Sequence, residues 1–251
     1  MFDFYLHGES AAGYGVYAVE RPSVPAPQKR IEQLQVSGRD GILTIDDNTF
    51  DVITIPISCN FMAESAAQYH STFRKIKSWI LSEMQTSLAF SDDLECFYKV
   101  QSISTSNVSR SSKKIGSFSI DCICEPFQYL ISGQEEIPFE IYEYEGSDSS
   151  NAFFNSKLVN EHYLAQPIYK LNGEGVFEIY VNDNHFKINV AQNCTIDTSL
   201  GIIYREDGTL INQSAQGNFE DLWLEHGESI ITFICPKTSA KPTIIPNWRS
   251  L

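Results

Sequence analysis

The chain has 251 residues, of which 42% are hydrophobic and 12% aromatic, so it can bury one large core or two of ordinary size. With 18 Lys and Arg against 32 Asp and Glu residues, its formal net charge is −14, which argues against binding nucleic acid through the phosphates. It begins without a positively charged leader, and no apolar run approaches the roughly 20 residues that span a bilayer. We therefore expect a protein made and kept in solution, without membrane insertion.

The first predicted feature is a β-hairpin over residues 33–45, folded back on a four-residue polar turn. The turn consists of Gly38, Arg39, Asp40 and Gly41. Glycine reaches positive φ without steric cost, which suits both ends of such a turn. At the strand period of two, Leu34 and Val36 share a face before the turn, and Ile42 and Thr44 share one after it. The central pair is either a solvated turn or a contact to a neighbouring subunit, and the local sequence leaves both open.

The next strand is predicted over residues 50–61, where Pro56 lacks an amide donor and indicates an edge or a bulge. Farther along, residues 87–91 and 94–100 flank Asp92 and Asp93 as a hairpin, and another strand covers residues 116–124. The serine-rich stretch 102–114 between them favours a long exposed loop or the tip of an extended hairpin.

One amphipathic helix is predicted, from Ala66 to Ser82. Ser65 and Gln68 have the spacing of a capping box in front of it. The apolar stripe of the helix contains Tyr69, Phe73, Ile76 and Ile80. The outward residues are His70, Arg74, Lys75 and Lys77. This cationic face is either solvated or a surface for a partner.

A domain boundary is predicted between Ile131 and Pro138, which gives an N-terminal domain over residues 1–133 and a C-terminal domain over 134–251. Downstream, short strands follow one another with turn signals about every 8 to 12 residues, the signature of a sandwich or jelly roll. We predict these strands at residues 139–144, 167–172, 176–181, 185–190, 194–197, 201–204, 209–212 and 229–235.

No catalytic, cofactor or metal site is predicted. Cys122 and Cys124 fall on one side of a strand, but a zinc site needs about four ligands and no second pair is present. We expect all six cysteines to be reduced and mostly buried. The sequence contains no Gly-x-Ser-x-Gly motif of a serine hydrolase, no Gly-rich phosphate-binding loop and no His-Glu-x-x-His motif of a zinc protease.

Several stretches together resemble the distal tail proteins of phages with long non-contractile tails. In the first half these are Phe-x-Phe-x-x-His-Gly at residues 2–8, residues 36–41, the single helix, and Cys-Glu-Pro-Phe at residues 124–127. In the second half they are residues 195–198, 207–208, 217–222, 226–230 and 246–251. Family members often have Pro where Ser37 stands and Phe-Pro-x-Leu at the position of residues 219–222, so those two loops differ.

The resemblance implies a mainly β fold. It consists of an N-terminal β-sandwich with one α-helix and a long hairpin, and a C-terminal galectin-like or jelly-roll β-sandwich. It also implies a structural hub, not an enzyme. Six copies form a ring, possibly two rings back to back, at the distal end of the virion tail, and the ring is assembled in the host cytoplasm. The implied partners are the tail tube protein, a tail-tip or tail-associated protein, and receptor-binding or baseplate proteins. The ring leaves a channel for DNA, and the acidic charge either lines that channel or serves general solubility.

Two further sets of residues are candidates for contacts. Pro246, Asn247, Trp248 and Arg249 are a candidate C-terminal anchor, because a tryptophan so close to a chain end indicates a tail tied back onto a domain. Trp223 is a weak candidate for stacking on sugar, with plain packing as the other interpretation. The alternative function is therefore a carbohydrate-binding β-sandwich protein that acts directly in attachment to the host surface.

Overall fold

A computed structural model describes residues 2–82, 86–141, 151–237 and 241–251. The chain forms two compact units, one of Met1–Tyr129 together with Leu251, and one of Leu130–Ser250. Strands dominate both units and there is one α-helix in the described residues, so the predicted mainly β class is confirmed.

The first unit is built on one large antiparallel sheet and a separate two-stranded hairpin. Its strands are β1 (Phe4–Leu6), β2 (Glu9–Ser10), β3 (Val16–Ala18), β4 (Lys29–Leu34), β5 (Leu43–Phe50), β6 (Ile53–Met62), β7 (Thr86–Phe90), β8 (Asp93–Thr105), β9 (Ser109–Arg110) and β10 (Ile115–Leu130). The strand order of the large sheet is β2-β1-β7-β8-β10-β6-β3, and β9 also pairs with β10. Phe2 and Ala18 exchange two backbone hydrogen bonds of 3.3 and 2.9 Å, so the sheet curls until β1 and β3 approach each other.

Strand β6 shows why these residues form a sheet. Buried and exposed side chains alternate along it, so that Ile53, Ile55 and Ile57 face the core while Pro56 faces outward. On one side of β6, strand β10 pairs with the whole length of β6. On the other side, β3 pairs only with the part of β6 from Cys59 to Phe61. Pro56 therefore lies where one side of β6 has no neighbouring strand, an edge position that suits a residue without an N–H group.

The helix α1 (Tyr69–Ile80) is shorter than predicted at both ends. Residues 65–68 form a turn in front of it, in which the Gln68 N–H donates to the Ser65 carbonyl and hydroxyl oxygens at 3.2 and 3.3 Å. The Ser65 hydroxyl thus closes this turn and does not cap a helix that begins at Ala66. Trp79 was not predicted on the apolar stripe, yet it is buried beside Ile76.

The serine-rich stretch forms the end of the hairpin between β8 and β10. Strand β8 continues to Thr105, and Ser106 and Ser119 are joined by a backbone bond of 2.9 Å and a bond from the Ser119 N–H to the Ser106 hydroxyl of 2.8 Å. Of the two predicted alternatives, the extended hairpin tip is the one formed.

The second unit is a sandwich of two antiparallel sheets. Its strands are β11 (Ile137–Pro138), β12 (Glu140–Ile141), β13 (Asn151–Asn160), β14 (Ile168–Leu171), β15 (Gly175–Val181), β16 (Asn184–Val190), β17 (Cys194–Asp197), β18 (Ile202–Arg205), β19 (Ala215–Gln216), β20 (Gly227–Pro236), β21 (Thr243–Ile245) and β22 (Arg249–Ser250). One sheet has the order β11-β21-β14-β17-β18 and the other β12-β13-β20-β15-β16-β19. Tyr169 of the first sheet and Phe233 of the second lie 5.9 Å apart, ring centre to ring centre, in the core between them.

Two strand predictions in this unit need correction. At residues 209–212 no regular strand forms, only an isolated antiparallel bridge between Leu210 and Tyr204, with the Ile211 N–H donating to the Ile203 carbonyl at 2.8 Å. The Asn212 side chain there accepts the Ile203 N–H at 2.7 Å and donates to the Gly201 carbonyl at 2.8 Å, so it takes the place of a strand partner. Strand β13 was not predicted because its sequence lacks clean alternation. Of the predicted strand 139–144, Glu140 and Ile141 form β12 and residues 142–144 lie outside the described residues.

Candidate assembly surfaces

The hairpin of β4 and β5, residues 29–50, is called the arm below. It is a two-stranded sheet apart from the curled sheet of the first unit, and every residue of β4 is exposed. Leu34 lies opposite Leu43, and Glu32 opposite Ile45, so the three apolar residues share one face. Leu34 is 40% exposed and Ile45 43% exposed. An apolar face on a projecting strand pair is typical of a protein interface.

The predicted turn forms the tip of the arm, but the tip is longer than the four residues predicted. The strands end at Leu34 and begin again at Leu43, so Val36 and Ile42 are part of the tip and not of the ladder. Gly38 and Gly41 have φ angles of 80° and 85°, in the left-handed region that glycine adopts readily. The chain reverses its direction over this longer segment because Gly38 and Gly41 turn the backbone at two separate positions.

The base of the arm is held by charged side chains. The Lys29 ammonium lies 2.8 Å from an Asp46 carboxylate oxygen, and Arg30 lies 3.1 Å from Asp51. The hydrogen bond from Lys29 holds the pKa of Asp46 below its ordinary value, aided by the Asn48 N–H. Asn48 has a φ of 58°, and the register of the ladder shifts here, so β5 bulges at the base of the arm.

The arm tip and the C-terminal candidates differ in burial. Arg39 and Asp40 are exposed, and neither forms an ion pair within the chain as described. Pro246, Asn247 and Arg249 are buried, and Trp248 packs partly buried against the core of the second unit.

Hydrogen bonds fix the C-terminal segment within the second unit. The Asn247 N–H donates to the Gly133 carbonyl at 2.8 Å, and its side-chain amide donates to the Gln166 carbonyl at 2.9 Å. Arg249 is 6% exposed and donates from Nε to the Leu164 carbonyl at 2.6 Å. Its Nη1 donates to the side-chain oxygen of Gln166 at 2.9 Å. A buried guanidinium needs such acceptors, and loop carbonyls supply them here.

Asn160 organises the same loop and was not singled out from the sequence. It is 1% exposed, and its side-chain amide donates to the Tyr163 and Leu224 carbonyls, each at 3.0 Å. Its side-chain oxygen accepts the His162 N–H at 3.0 Å. One Asn among many carries no sequence signal: Tyr163 and His162 are close to it in the sequence, but Leu224, the partner through which it joins two segments, lies 64 residues away.

Trp223 is half-buried, and its indole N–H lies 3.4 Å from the Thr198 carbonyl. The segment before it is a short 3-10 helix, Phe219–Leu222, closed by a reciprocal capping box between Asn218 and Asp221. The sugar contact stays a prediction.

The described residues contain clefts near α1 but no arrangement typical of catalysis. A cleft of about 580 Å³ is lined by His7, Glu9, Tyr14 and Trp79, among others, and the Tyr14 ring stacks on Trp79 with centroids 4.5 Å apart. Burial raises the pKa of Cys59 and Cys122 to about 12, so both thiols stay protonated at neutral pH. Within the described ranges, no group of three or more His, Cys, Asp or Glu side chains is placed to hold a metal ion, and no helix is long and apolar enough to cross a membrane.

Part of the chain matches a known protein family. Residues 18–124 match the family described as the phage tail protein RIFT-related domain. A search among curated protein sequences gives no match to the chain.

Two solved structures share the fold. The SPP1 Dit (gp 19.1) protein, described as a paradigm of the hub adsorption apparatus in phages that infect Gram-positive hosts, has a TM-score of 0.60 and 11% identity, with 100% of each chain covered. A chain of the phage P2 baseplate in its activated conformation with Ca has a TM-score of 0.50 and 9% identity, with 97% of each chain covered.

Residues 18–124 therefore match a domain of phage tail proteins, and the chain as a whole shares the fold of a phage hub protein and of a phage baseplate chain. The fold shared with the SPP1 Dit protein agrees with the resemblance found in the sequence.

Proposed function

We propose that six copies of this protein form a ring at the distal end of the phage tail. The ring joins the tail tube protein to a tail-tip or tail-associated protein and to receptor-binding or baseplate proteins. Its central channel lets DNA pass. The protein is assembled in the host cytoplasm, becomes part of the virion, and acts through shape and contacts without catalysing a reaction.

The arm is the observation that supports the ring. A closed ring repeats one contact around an axis, so each copy must carry two different, complementary surfaces. The arm projects an apolar face formed by Leu34, Leu43 and Ile45, and each of its two strands has an open edge. Apolar burial and strand addition on a neighbouring copy are the two interactions that such an element offers.

The mass of the purified protein in solution tests the ring. We expect wild type at high concentration to have six times the chain mass of 28.4 kDa, or twice that if two rings stack, and to appear as a ring in negative-stain images. Leu34→Ser combined with Ile45→Ser should shift the mass toward the monomer. Both side chains are exposed, so their replacement should change folding stability by no more than about 0.5 kcal/mol.

Leu94→Ser is the matched control, because Leu94 is 51% exposed on β8 of the same unit but lies outside the arm. It should leave the oligomer unchanged. A wild type that stays monomeric at every concentration would contradict the ring, and a double arm variant with unchanged mass would contradict the role of the arm.

A further inference from the structure

One flank of α1 carries two exposed cations, Arg74 and Lys77, and a third exposed cation, Lys75, lies on another side of the helix. Arg74 and Lys77 follow His70 at steps of four and three, so these side chains share a flank of the helix, and all three are exposed. No carboxylate of the described chain pairs with Arg74 or Lys77. By contrast, Arg21 and Arg30 elsewhere in the first unit each lie within about 3 Å of an aspartate.

The end of the β8–β10 hairpin places three more cations, Arg110, Lys113 and Lys114, near the N-terminus of α1. The Arg110 guanidinium lies 4.4 Å from the centre of the Tyr69 ring, at the start of α1, and donates to the Lys113 carbonyl at 2.6 Å. The Ala63 N–H donates to the Lys114 carbonyl at 2.8 Å. Lys113 and Lys114 are exposed and are fixed near the N-terminus of α1 by these contacts. Arg74, Lys77, Lys113 and Lys114 are called the basic surface below.

The second unit has a segment of the opposite charge. Residues 206–236 contain no Lys or Arg but six carboxylates, of which Glu220 and Glu225 are exposed. His226 Nδ1 lies 3.2 Å from the His162 carbonyl, so the neighbouring residues Glu161 and Glu225 lie at the same end of this unit. Glu161 is also exposed and has no cationic partner in the part of the chain that is described. Glu161, Glu220 and Glu225 are called the acidic surface.

We propose that the basic surface of one copy binds the acidic surface of a second copy. This contact is separate from the arm, and it rests on the proposed function only in requiring that copies associate. Exposed charges of opposite sign attract over about 10 Å at 0.1 M salt, so the two surfaces steer copies into one orientation. The partner is a second copy because the chain itself carries a surface of each sign, so each copy presents the complement of a surface on the other.

Charge reversal on each surface tests the contact directly. One variant, the basic-reversed variant, carries Arg74→Glu, Lys77→Glu and Lys113→Glu. The other, the acidic-reversed variant, carries Glu161→Lys, Glu220→Lys and Glu225→Lys. Each alone should associate with itself at least tenfold more weakly than wild type at 50 mM salt. A mixture should form a one-to-one complex, because the intact acidic surface of the first meets the intact basic surface of the second.

The control variant carries Lys237→Glu and Lys241→Glu, two cations outside the basic surface, and should associate as wild type does. Raising salt from 50 to 300 mM should weaken the complex on the order of tenfold. The arm variant Leu34→Ser with Ile45→Ser should keep this salt-sensitive contact, so failure of the arm and failure of this contact are distinguished.

Two results would overturn the proposal. One is a mixture of the two reversed variants that shows no complex at 50 mM salt while wild type still assembles through the arm. The other is retention of a 30-base-pair DNA duplex by wild type at 100 mM salt, lost in the basic-reversed variant, without any complex in the mixture. That second result would assign the basic surface to nucleic acid.

Discussion

Single side chains hold the loops of the second unit where backbone partners are missing. The side chains of Asn160 and Asn212 each form hydrogen bonds with more than one backbone group, and the side-chain amide of Asn247 donates to the Gln166 carbonyl. Asn247 also has a φ of 54°, which Asn tolerates better than most residues. Buried backbone groups must be paired, so these side chains decide which loop conformation is stable.

Gly133 is required for the close approach of the C-terminal segment. A Cβ atom at this position would lie 2.4 Å from the Trp248 backbone nitrogen. We expect Gly133→Ala to destabilise the protein by about 1–3 kcal/mol, because backbone atoms must shift to make room. Urea unfolding measures this. Gly13→Ala is the control, since a Cβ there meets nothing within 4 Å, and equal stability of the two variants would contradict the explanation.

We expect the ion pair of Glu178 with Lys187 to make the free energy of unfolding depend on pH. The hydrogen bond from Lys187, at 2.7 Å, holds the pKa of Glu178 below its ordinary 4.5, aided by the Tyr180 hydroxyl. A lowered folded-state pKa contributes stability above pH 4.5, and this is lost as the pH falls through the folded-state value. We expect Glu178→Gln to cost at most about 1 kcal/mol at pH 7, and the difference from wild type to shrink by pH 3.

Glu174→Gln is the control for this experiment. Glu174 is exposed on the same unit and has no hydrogen bond or ion pair in the described chain. Its replacement should leave the urea midpoint unchanged at both pH values. A Glu178→Gln difference that stayed constant from pH 7 to pH 3 would rule out the ion pair as its cause.

The C-terminal segment, residues 246–251, has little regular secondary structure, but hydrogen bonds hold it in place along most of its length. It provides bonds to Gly133, Leu164 and Gln166, and the Trp248 carbonyl accepts the Leu130 N–H at 2.9 Å. These hydrogen bonds fix the segment to the rest of the second unit, as hydrogen bonds between strands do elsewhere in the sandwich.

Deletion of residues 246–251 should destabilise the second unit by several kcal/mol. Each lost hydrogen bond costs roughly 1 kcal/mol, and loss of Trp248 exposes part of the core. Thermal unfolding and hydrogen exchange of the second unit measure the effect. Deletion of Leu251 alone removes none of these bonds and should change little. An unchanged melting temperature for the longer deletion would contradict the role of the segment as an anchor.

At the scale of the whole molecule, the two units differ in the surfaces and charges that they expose. The first unit carries the arm and the basic surface, and the second carries a segment of 31 residues, 206–236, without any Lys or Arg. An acidic protein with local basic and apolar surfaces resists nonspecific association but permits specific contacts between copies. The proposed assembly of copies draws on these surfaces of both units.

The sequence by itself determined the mainly β class, the single amphipathic helix, the glycine turn at the tip of the arm and the Dit-like resemblance. These depend on local periodicity, turn chemistry and motifs, which can be read within a short window. Only the tertiary structure decided that β13 is a strand, that Asn212 replaces one, and that Asn160 and Gly133 hold distant segments together. Those features depend on partners far apart in the chain, and no local pattern specifies which buried group will need a hydrogen bond or which glycine will meet another backbone.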